Sequence, residues 1–128
     1  MKKREGPEAS RRRQEAFALL RAAGALLREL ARPGPLIGGC FYEMYKKCGR
    51  PGCRCARGEL HGPFPVLAVA RGGRRTTRSV PRAQAGQVRA RAAAYRAFQA
   101  KRRRLRRALA RLAALVREIG EAAVEPYP

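Results

Sequence analysis

The segment from residue 48 to residue 63, CGRPGCRCARGELHGP, is the feature that most constrains the fold of this 128-residue chain. It holds three of the four cysteines and the only histidine, set among two prolines and four glycines. A structural zinc site takes four thiolate or imidazole donors at tetrahedral corners, and short spacings rich in Gly and Pro let one loop supply several of them. The segment therefore predicts a structural Zn²⁺ held by Cys48, Cys53, Cys55 and His61.

Two other interpretations of the cysteines stay open at this point. Cys40, on the preceding predicted strand, is an alternative to His61 as the fourth ligand. An iron–sulfur cluster would need four thiolates and therefore Cys40 as well. Four donors this close together favour a metal over idle or buried thiols, and a reducing compartment favours ligands over disulfides.

The acid–base residues of the chain argue against a catalytic metal. A catalytic zinc keeps one coordination position open and works with a nearby general base. Glu59 is the only acid in the loop, and the chain has no Asp and no second His. We therefore predict a non-enzymatic protein, with an enzyme that uses Glu59 and an open zinc as the rival interpretation.

The charge of the chain indicates its class of partner. Lys and Arg number 30 against nine acids, which gives a formal net charge of +21. Such a field attracts polyanions, with nucleic acid ahead of an anionic membrane or an acidic protein. The N-terminus lacks an apolar core, and no apolar run approaches the roughly 18 residues of a spanning helix. We expect no membrane association and a cytoplasmic protein, bound to the nucleoid or to ribosomes.

The spacing of apolar and turn residues predicts an α+β fold in one domain over residues 10–128. Apolar residues recur at three- and four-residue steps in two segments, the first capped by Ser10 and ended by Pro33. The predicted elements are a disordered basic tail over 1–9, a helix over 10–32, a strand and metal loop over 38–63, a hairpin over 65–80 and a long helix over 82–119.

The sequence PFPVLAVARGGRRTTRSVP predicts the hairpin in detail. Gly72 and Gly73 suit a two-residue turn, because a positive φ costs glycine almost nothing. Such a turn places Arg71 opposite Arg74. It also places Val69 opposite Thr76, and the strand from residue 38 completes a three-stranded antiparallel sheet.

The long helix carries an apolar seam at heptad spacing from Tyr95 to Ile119, interrupted at Arg102. Such a seam needs a partner helix. The first helix, in an antiparallel hairpin, and a second copy of the long helix are the two candidates. Because the first helix is about half as long, part of the seam would stay uncovered, and we predict a homodimer through the long helix.

Three groups of cations are the predicted nucleic-acid contacts. The segment KRRRLRR at 101–107 places cations around most of a helix, and no acid occurs from residue 82 to residue 117. Phe41, Tyr42 and Tyr45 are either a base-stacking platform or core. The predicted contacts are Lys101, Arg102, Arg103, Arg104, Arg106 and Arg107 of the long helix, Arg74, Arg75 and Arg78 of the hairpin, and Lys46 and Lys47 before the loop.

The Cys/His segment, the GG hairpin, the RSVP strand end and the helix containing VRARAAAYRAF together show a resemblance. The chain resembles, over about residues 35 to 100, a family of small, basic, functionally uncharacterised prokaryotic proteins with the core C-G-x-P-x-C-x-C-A-x-G-x-x-H-G-P. The four predicted ligands occupy its recurrent positions, whereas Cys40 does not. Where the family has aromatic residues after H-G-P, this chain has Phe64 and then Pro65, Val66 and Leu67.

The resemblance implies a frequent association with transposons and no established activity. We therefore expect a zinc-stabilised nucleic-acid-binding protein that serves as a DNA-binding accessory factor of a mobile element. An RNA-binding or ribosome-associated structural protein is the alternative.

Overall fold

The computed structural model describes residues 6–128 and confirms the α+β fold. A helix, a three-stranded antiparallel sheet and a long helix follow one another along the chain. None of the helices in this range is long and apolar enough to cross a membrane. The elements are α1 (Pro7–Leu30), β1 (Cys40–Lys46), β2 (His61–Arg71), β3 (Arg74–Ser79) and α2 (Ala85–Ala123).

The described chain divides into two compact units. The sheet unit comprises residues 34–97, with the three strands and the start of α2. The helical unit comprises residues 6–33 and 98–128, with α1 and the remainder of α2. That residues 10–128 act as one domain stays a prediction.

The sheet has the order β1-β2-β3, with β2 in the centre. Gly72 and Gly73 adopt φ angles of +56° and +78°, the two positive values of a type I′ hairpin turn. Arg71 pairs with Arg74, and Val69 pairs with Thr76. The predicted register of this hairpin is therefore confirmed.

The central strand β2 begins at His61, four residues before the predicted start of the hairpin at residue 65. The ladder with β1 changes register between Met44 and Lys46, and Lys46 pairs with His61 across it. Residues 62 and 63 lie in this irregularity, where a proline in a central strand is tolerated because no ladder hydrogen bond is lost. Gly62 and Pro63 form a pair that is typical of turns. In this chain they lie in a bulge inside β2.

Side chains of β2 form the core of the sheet unit. Val66 and Ala68, two residues apart on one face of β2, are buried, as is Ala92 of α2. The guanidinium of Arg89 lies 4.9 Å from the ring centroid of Phe41 and forms an ion pair with Glu43. Within this unit, the start of α2 therefore packs on the strands through apolar and charged groups, and Phe41 is part of this packing.

In the helical unit, α1 and α2 run antiparallel. Each ion pair between them joins an early residue of one helix to a late residue of the other, and Leu115 is fully buried. The pairs are Glu15 with Arg111 at 2.9 Å, Glu29 with Lys101 at 3.0 Å and Arg12 with Glu118 at 3.7 Å. Helix α1 therefore packs against α2, as the first of the two alternatives predicted. Leu109, Val116 and Ile119 of the predicted seam nevertheless stay exposed, and the fully buried Leu115 is not one of its positions.

This arrangement changes the argument made for a dimer. The helical unit exposes large apolar side chains of both helices, namely Phe17, Leu20, Leu27, Leu109, Val116 and Ile119, so a second copy of the chain would have apolar groups to cover. The first part of α2, from Ala85 to Ala97, is not covered by α1. This part belongs to the sheet unit. The mismatch in helix length therefore does not require a second copy of the chain. Homodimer formation stays a prediction.

The helix boundaries differ from the prediction by two to four residues. Helix α1 begins at Pro7, because proline suits the first helical position, and Ser10 lies inside the helix instead of capping it. Residues 7–9 of the predicted disordered tail are therefore helical, and residues 1–5 of that tail lie outside the described residues. Helix α2 follows a short 3₁₀ turn and continues past Gly120 to Ala123, since one glycine costs a helix only about 1 kcal/mol.

Candidate metal centre

Four residues from one loop and one strand end form the metal cluster: Cys48, Cys53, Cys55 and His61. Cys48 lies two residues beyond the end of β1, and His61 is the first residue of β2. Cys55 lies in a single 3₁₀ turn, Arg54–Arg57, which Gly58 ends at a φ of +104°. The loop between two paired strands therefore returns on itself and brings all four donors together.

The donor atoms of the metal cluster are spaced for a small ion. All four lie within 4.8 Å of one another. The Sγ atoms of Cys48 and Cys55 are 3.4 Å apart, and Cys53 Sγ is 3.1 Å from His61 Nε2. Metal–sulfur bonds of 2.3 Å and metal–nitrogen bonds of 2.0–2.1 Å in a tetrahedron separate the donors by about 3.5–3.8 Å. The cluster fits a four-coordinate ion once the most distant donors move closer together by about 1 Å.

The surroundings of the Cys55 thiol favour its ionised form, which is the form that binds metals. Its residue is only 2% exposed, and the backbone N–H of Cys48 donates a hydrogen bond to its Sγ at 3.4 Å. This donation is the main cause that lowers the pKa of the Cys55 thiol from 9.0 to about 7. Because the thiolate is the form that binds metals, less free energy is needed to ionise this ligand near neutral pH.

Cys40 lies outside the metal cluster. It is exposed at the far end of β1, where it pairs with Ala68. Six residue steps of strand separate it from Lys46, a distance of about 20 Å. Cys40 therefore does not replace His61 as the fourth ligand, and an iron–sulfur cluster would lack its fourth thiolate.

The predicted nucleic-acid contacts lie in three places. All six residues of β3 are exposed, including its three arginines, and Lys47 is exposed beyond the end of β1. Lys46 extends over the ring of Phe64, with its Nζ 4.9 Å from the centroid. Lys101 differs from the other cations of its group, because it is half-buried and paired with Glu29.

Reasoning from the sequence assigned no functional role to two residues beside the metal cluster. Arg50 and Phe64 line a cavity next to the four ligands. Arg50 lies between Cys48 and Cys53, and in the sequence its charge was counted only as part of the net charge. The half-buried Phe64 becomes a neighbour of the cluster because β2 begins at His61, and that strand start was not predicted.

Comparison with known proteins gives one family. Neither a curated protein nor a solved structure is detectably similar to the chain. Residues 8–90 match the family described as "Domain of unknown function (DUF6788)". The match includes most of α1, the whole sheet and the metal cluster, and it ends before the arginine-rich part of α2. The chain therefore belongs to the DUF6788 family.

Proposed function

We propose that this chain is a non-enzymatic nucleic-acid-binding protein whose fold is stabilised by a bound metal ion. The observation that carries the proposal is a run of exposed cations on α2 that form no ion pair within the described part of the chain, here called the arginine run. It consists of Arg102, Arg103, Arg104, Arg106 and Arg107.

The arginine run has no acidic partner among residues 6–128. All five residues are exposed, and none forms an ion pair with any residue from 6 to 128. Six of the eight glutamates in that range pair with cations outside the run. The acids of the helical unit stabilise other positions, and the run keeps its full positive charge.

Repulsion between the like charges of the arginine run destabilises α2 in the free protein, and a bound anion would remove this repulsion. Arg102 with Arg106, and Arg103 with Arg107, are like charges at a spacing of four, which destabilises a helix by a few tenths of a kcal/mol per pair. Phosphate contacts would turn this repulsion into attraction, and guanidinium groups bind phosphate oxygens in bidentate fashion. A polyanion with a repeated phosphate is the partner that fits this surface.

The sheet unit has a second cationic surface on β3. Arg74 and Arg78 lie on one face of this edge strand and Arg75 on the other, and all are exposed. Thr77 between them is an exposed hydroxyl donor of the kind that also binds phosphate, whereas the Thr76 hydroxyl donates to the carbonyl oxygen of Val69. The β3 surface supports the same class of partner independently of α2.

Zinc is the metal proposed for the cluster, because a set of three thiolates and one imidazole is typical of structural zinc. Bound there, the ion would hold the loop between β1 and β2 closed. Four protein ligands leave no open position, which supports a structural role and a non-enzymatic protein.

The proposed process is that of a DNA-binding accessory factor of a mobile element. Its support is the resemblance of the Cys/His core to transposon-associated proteins. Phosphate contacts by arginine serve RNA as well as DNA. Retention of ribosomal RNA instead of DNA through purification would therefore favour the ribosomal alternative.

A salt titration of binding tests the proposal. Fluorescence anisotropy of a labelled 20-bp duplex, at several salt concentrations, should give an apparent affinity whose log–log slope is about −0.9 per phosphate neutralised. The double variant Arg103→Gln/Arg107→Gln should reduce the magnitude of this slope by about 1.8. An affinity independent of salt would overturn the proposal.

The matched control removes two charges from the opposite end of the helical unit. Arg11→Gln/Arg117→Gln lowers the net charge equally, and we expect it to leave the slope nearly unchanged. Equal slopes for the two double variants would show that net charge alone binds the duplex, and the arginine run would lose its role. We expect Arg103→Gln/Arg107→Gln to stay folded, because it removes like-charge repulsion within the helix, and circular dichroism of the variant checks this.

A further inference from the structure

A cavity of about 350 Å³ lies beside the metal cluster. Three of the ligands, Cys48, Cys53 and His61, form part of its wall. The rest of the wall comes from Lys46, Arg50 and Phe64. This cavity is called the knuckle cavity below.

The metal ion alone does not account for the knuckle cavity. A bound ion occupies the space between four donor atoms that lie within 4.8 Å of one another. Even a water molecule has a share of only about 30 Å³ of liquid volume, so most of the cavity would stay open after the ion is bound. The three lining residues that are not ligands therefore face space for another molecule.

The chemistry of the lining selects the class of that molecule. Lys46 and Arg50 supply two cations, and no carboxylate lines the cavity. Phe64 supplies an aromatic ring next to the Lys46 ammonium, 4.9 Å from its centroid. A cationic site beside an aromatic wall suits a ligand that joins an anion to a flat ring, which is the composition of a nucleotide.

The pairing of β1 with β2 also fixes the backbone position of Lys46 beside the metal cluster. Lys46 is the last residue of β1 and pairs with His61 in the ladder, so its backbone is fixed next to a metal ligand. Its side chain is a flexible stem that ends in three donors, and it can turn from the ring to a phosphate. Lys47, the next residue, is exposed and does not line the cavity.

We propose that the knuckle cavity binds one unpaired nucleotide, with the phosphate at Lys46 and Arg50 and the base against Phe64. The inference rests on the proposed function and makes it more specific, because it gives the protein a preference for single-stranded or unpaired segments over regular duplex. The same chemistry could be supplied by a nucleic-acid strand or by a free mononucleotide.

The test compares a labelled dT12 strand with a labelled 12-bp duplex on the zinc-loaded full chain. Phe64→Leu should weaken binding of the strand by about fivefold or more, the lower end of what one base stacked on an aromatic ring contributes. Lys46→Gln should also weaken it, because it removes a phosphate contact. Neither should weaken duplex binding more than Lys47→Gln does. Lys47→Gln is the matched control, because it removes the same charge one residue away.

The zinc content of each variant shows whether a loss of strand binding is caused by a loss of the metal. Each variant should retain one zinc per chain, since none of the three substituted residues is a ligand. Arg50→Gln is a second, independent variant that leaves Phe64 in place. If Lys46→Gln, Arg50→Gln and Phe64→Leu bind the strand as Lys47→Gln does while retaining zinc, the inference is wrong and the proposed function stands.

Deoxythymidine monophosphate separates the two sources of the nucleotide. Saturable binding of this mononucleotide by the wild-type chain, lost in Phe64→Leu, would assign the cavity to free nucleotides. Loss of strand binding in the variants without mononucleotide binding would assign it to a nucleic-acid strand. If the chain binds the mononucleotide but neither oligonucleotide, the proposed function is wrong and the nucleotide site in the knuckle cavity stands. If it binds none of the three, both proposals are wrong.

Discussion

Lys46 lies directly opposite His61 in the ladder between β1 and β2. The pairing places a metal ligand and a cation at the same end of the sheet, with Cys48 only two residues beyond Lys46. Because the strand register fixes His61, metal binding and pairing of β1 with β2 stabilise each other.

Replacement of a buried ligand should remove the metal. Cys55→Ser takes away the most buried donor of the cluster, and we expect the zinc affinity to fall by more than the roughly 10- to 100-fold that loss of an outer-shell partner costs. Competition with a chromophoric chelator measures the affinity. Cys40→Ser is the control, because that cysteine is exposed outside the cluster, and it should bind zinc as the wild type does. Equal affinities for the two variants would contradict the ligand assignment.

Gly62→Ala should disturb both the strand and the metal centre. An added Cβ would lie 2.8 Å from the carbonyl oxygen of Met44 and 2.8 Å from Tyr45, at a backbone φ of +146°. We expect a loss of about 1–3 kcal/mol of unfolding free energy in urea denaturation and a weaker zinc affinity. Gly73→Ala, at a φ of +78° with open space around it, shares only the backbone strain. It should lose stability while keeping its zinc affinity, and an unchanged zinc affinity in Gly62→Ala would contradict this account.

Gly24→Ala should stabilise the helical unit. The glycine lies in the middle of α1, and an added Cβ would meet no described atom within 4 Å. The substitution should therefore raise the unfolding free energy by about 1 kcal/mol, the difference in helix propensity between glycine and alanine. Urea denaturation of the zinc-loaded protein measures it. A destabilised variant would show that α1 packs closely there, and sedimentation would then reveal whether a second copy of the chain is the partner.

Zinc affinity should fall as the pH is lowered through about 7. Above that pH, the Cys55 thiol is largely ionised, because the hydrogen bond from the Cys48 backbone lowers its pKa to about 7. Below it, zinc must displace the proton, and this one ligand alone costs about tenfold in affinity per pH unit. Chelator competition at pH 6, 7 and 8 should show the decrease, and equal affinities at pH 6 and pH 7 would contradict it.

The sequence was most informative where local chemistry determines structure. The Gly72-Gly73 turn predicted the hairpin register residue by residue, because a two-residue turn leaves one way to pair the flanking strands. The spacing favoured the four metal donors and left Cys40 open as an alternative to His61. Their proximity in the structure agrees with that choice, although spacing did not exclude Cys40 until β1 placed it at the far end of the strand.

Features that depend on tertiary contacts were not predicted. Proline at residue 63 argued for a turn, whereas a bulge accommodates residues 62 and 63 within β2. Lys101 looked equivalent to its neighbours until Glu29 of α1 paired with it. The partner of the heptad seam also required the structure, because an apolar stripe has the same spacing whether a helix or a sheet covers it.

The central claim is that a metal-stabilised fold presents cations to nucleic acid. Its most direct test is the binding isotherm of a labelled oligonucleotide, measured on purified protein of known metal content before and after treatment with a chelator. We predict one zinc per chain, binding that weakens steeply with salt, and weaker binding once the metal is removed. Protein that is purified without metal, keeps its fold in chelator and binds neither DNA nor RNA at low salt would contradict the claim.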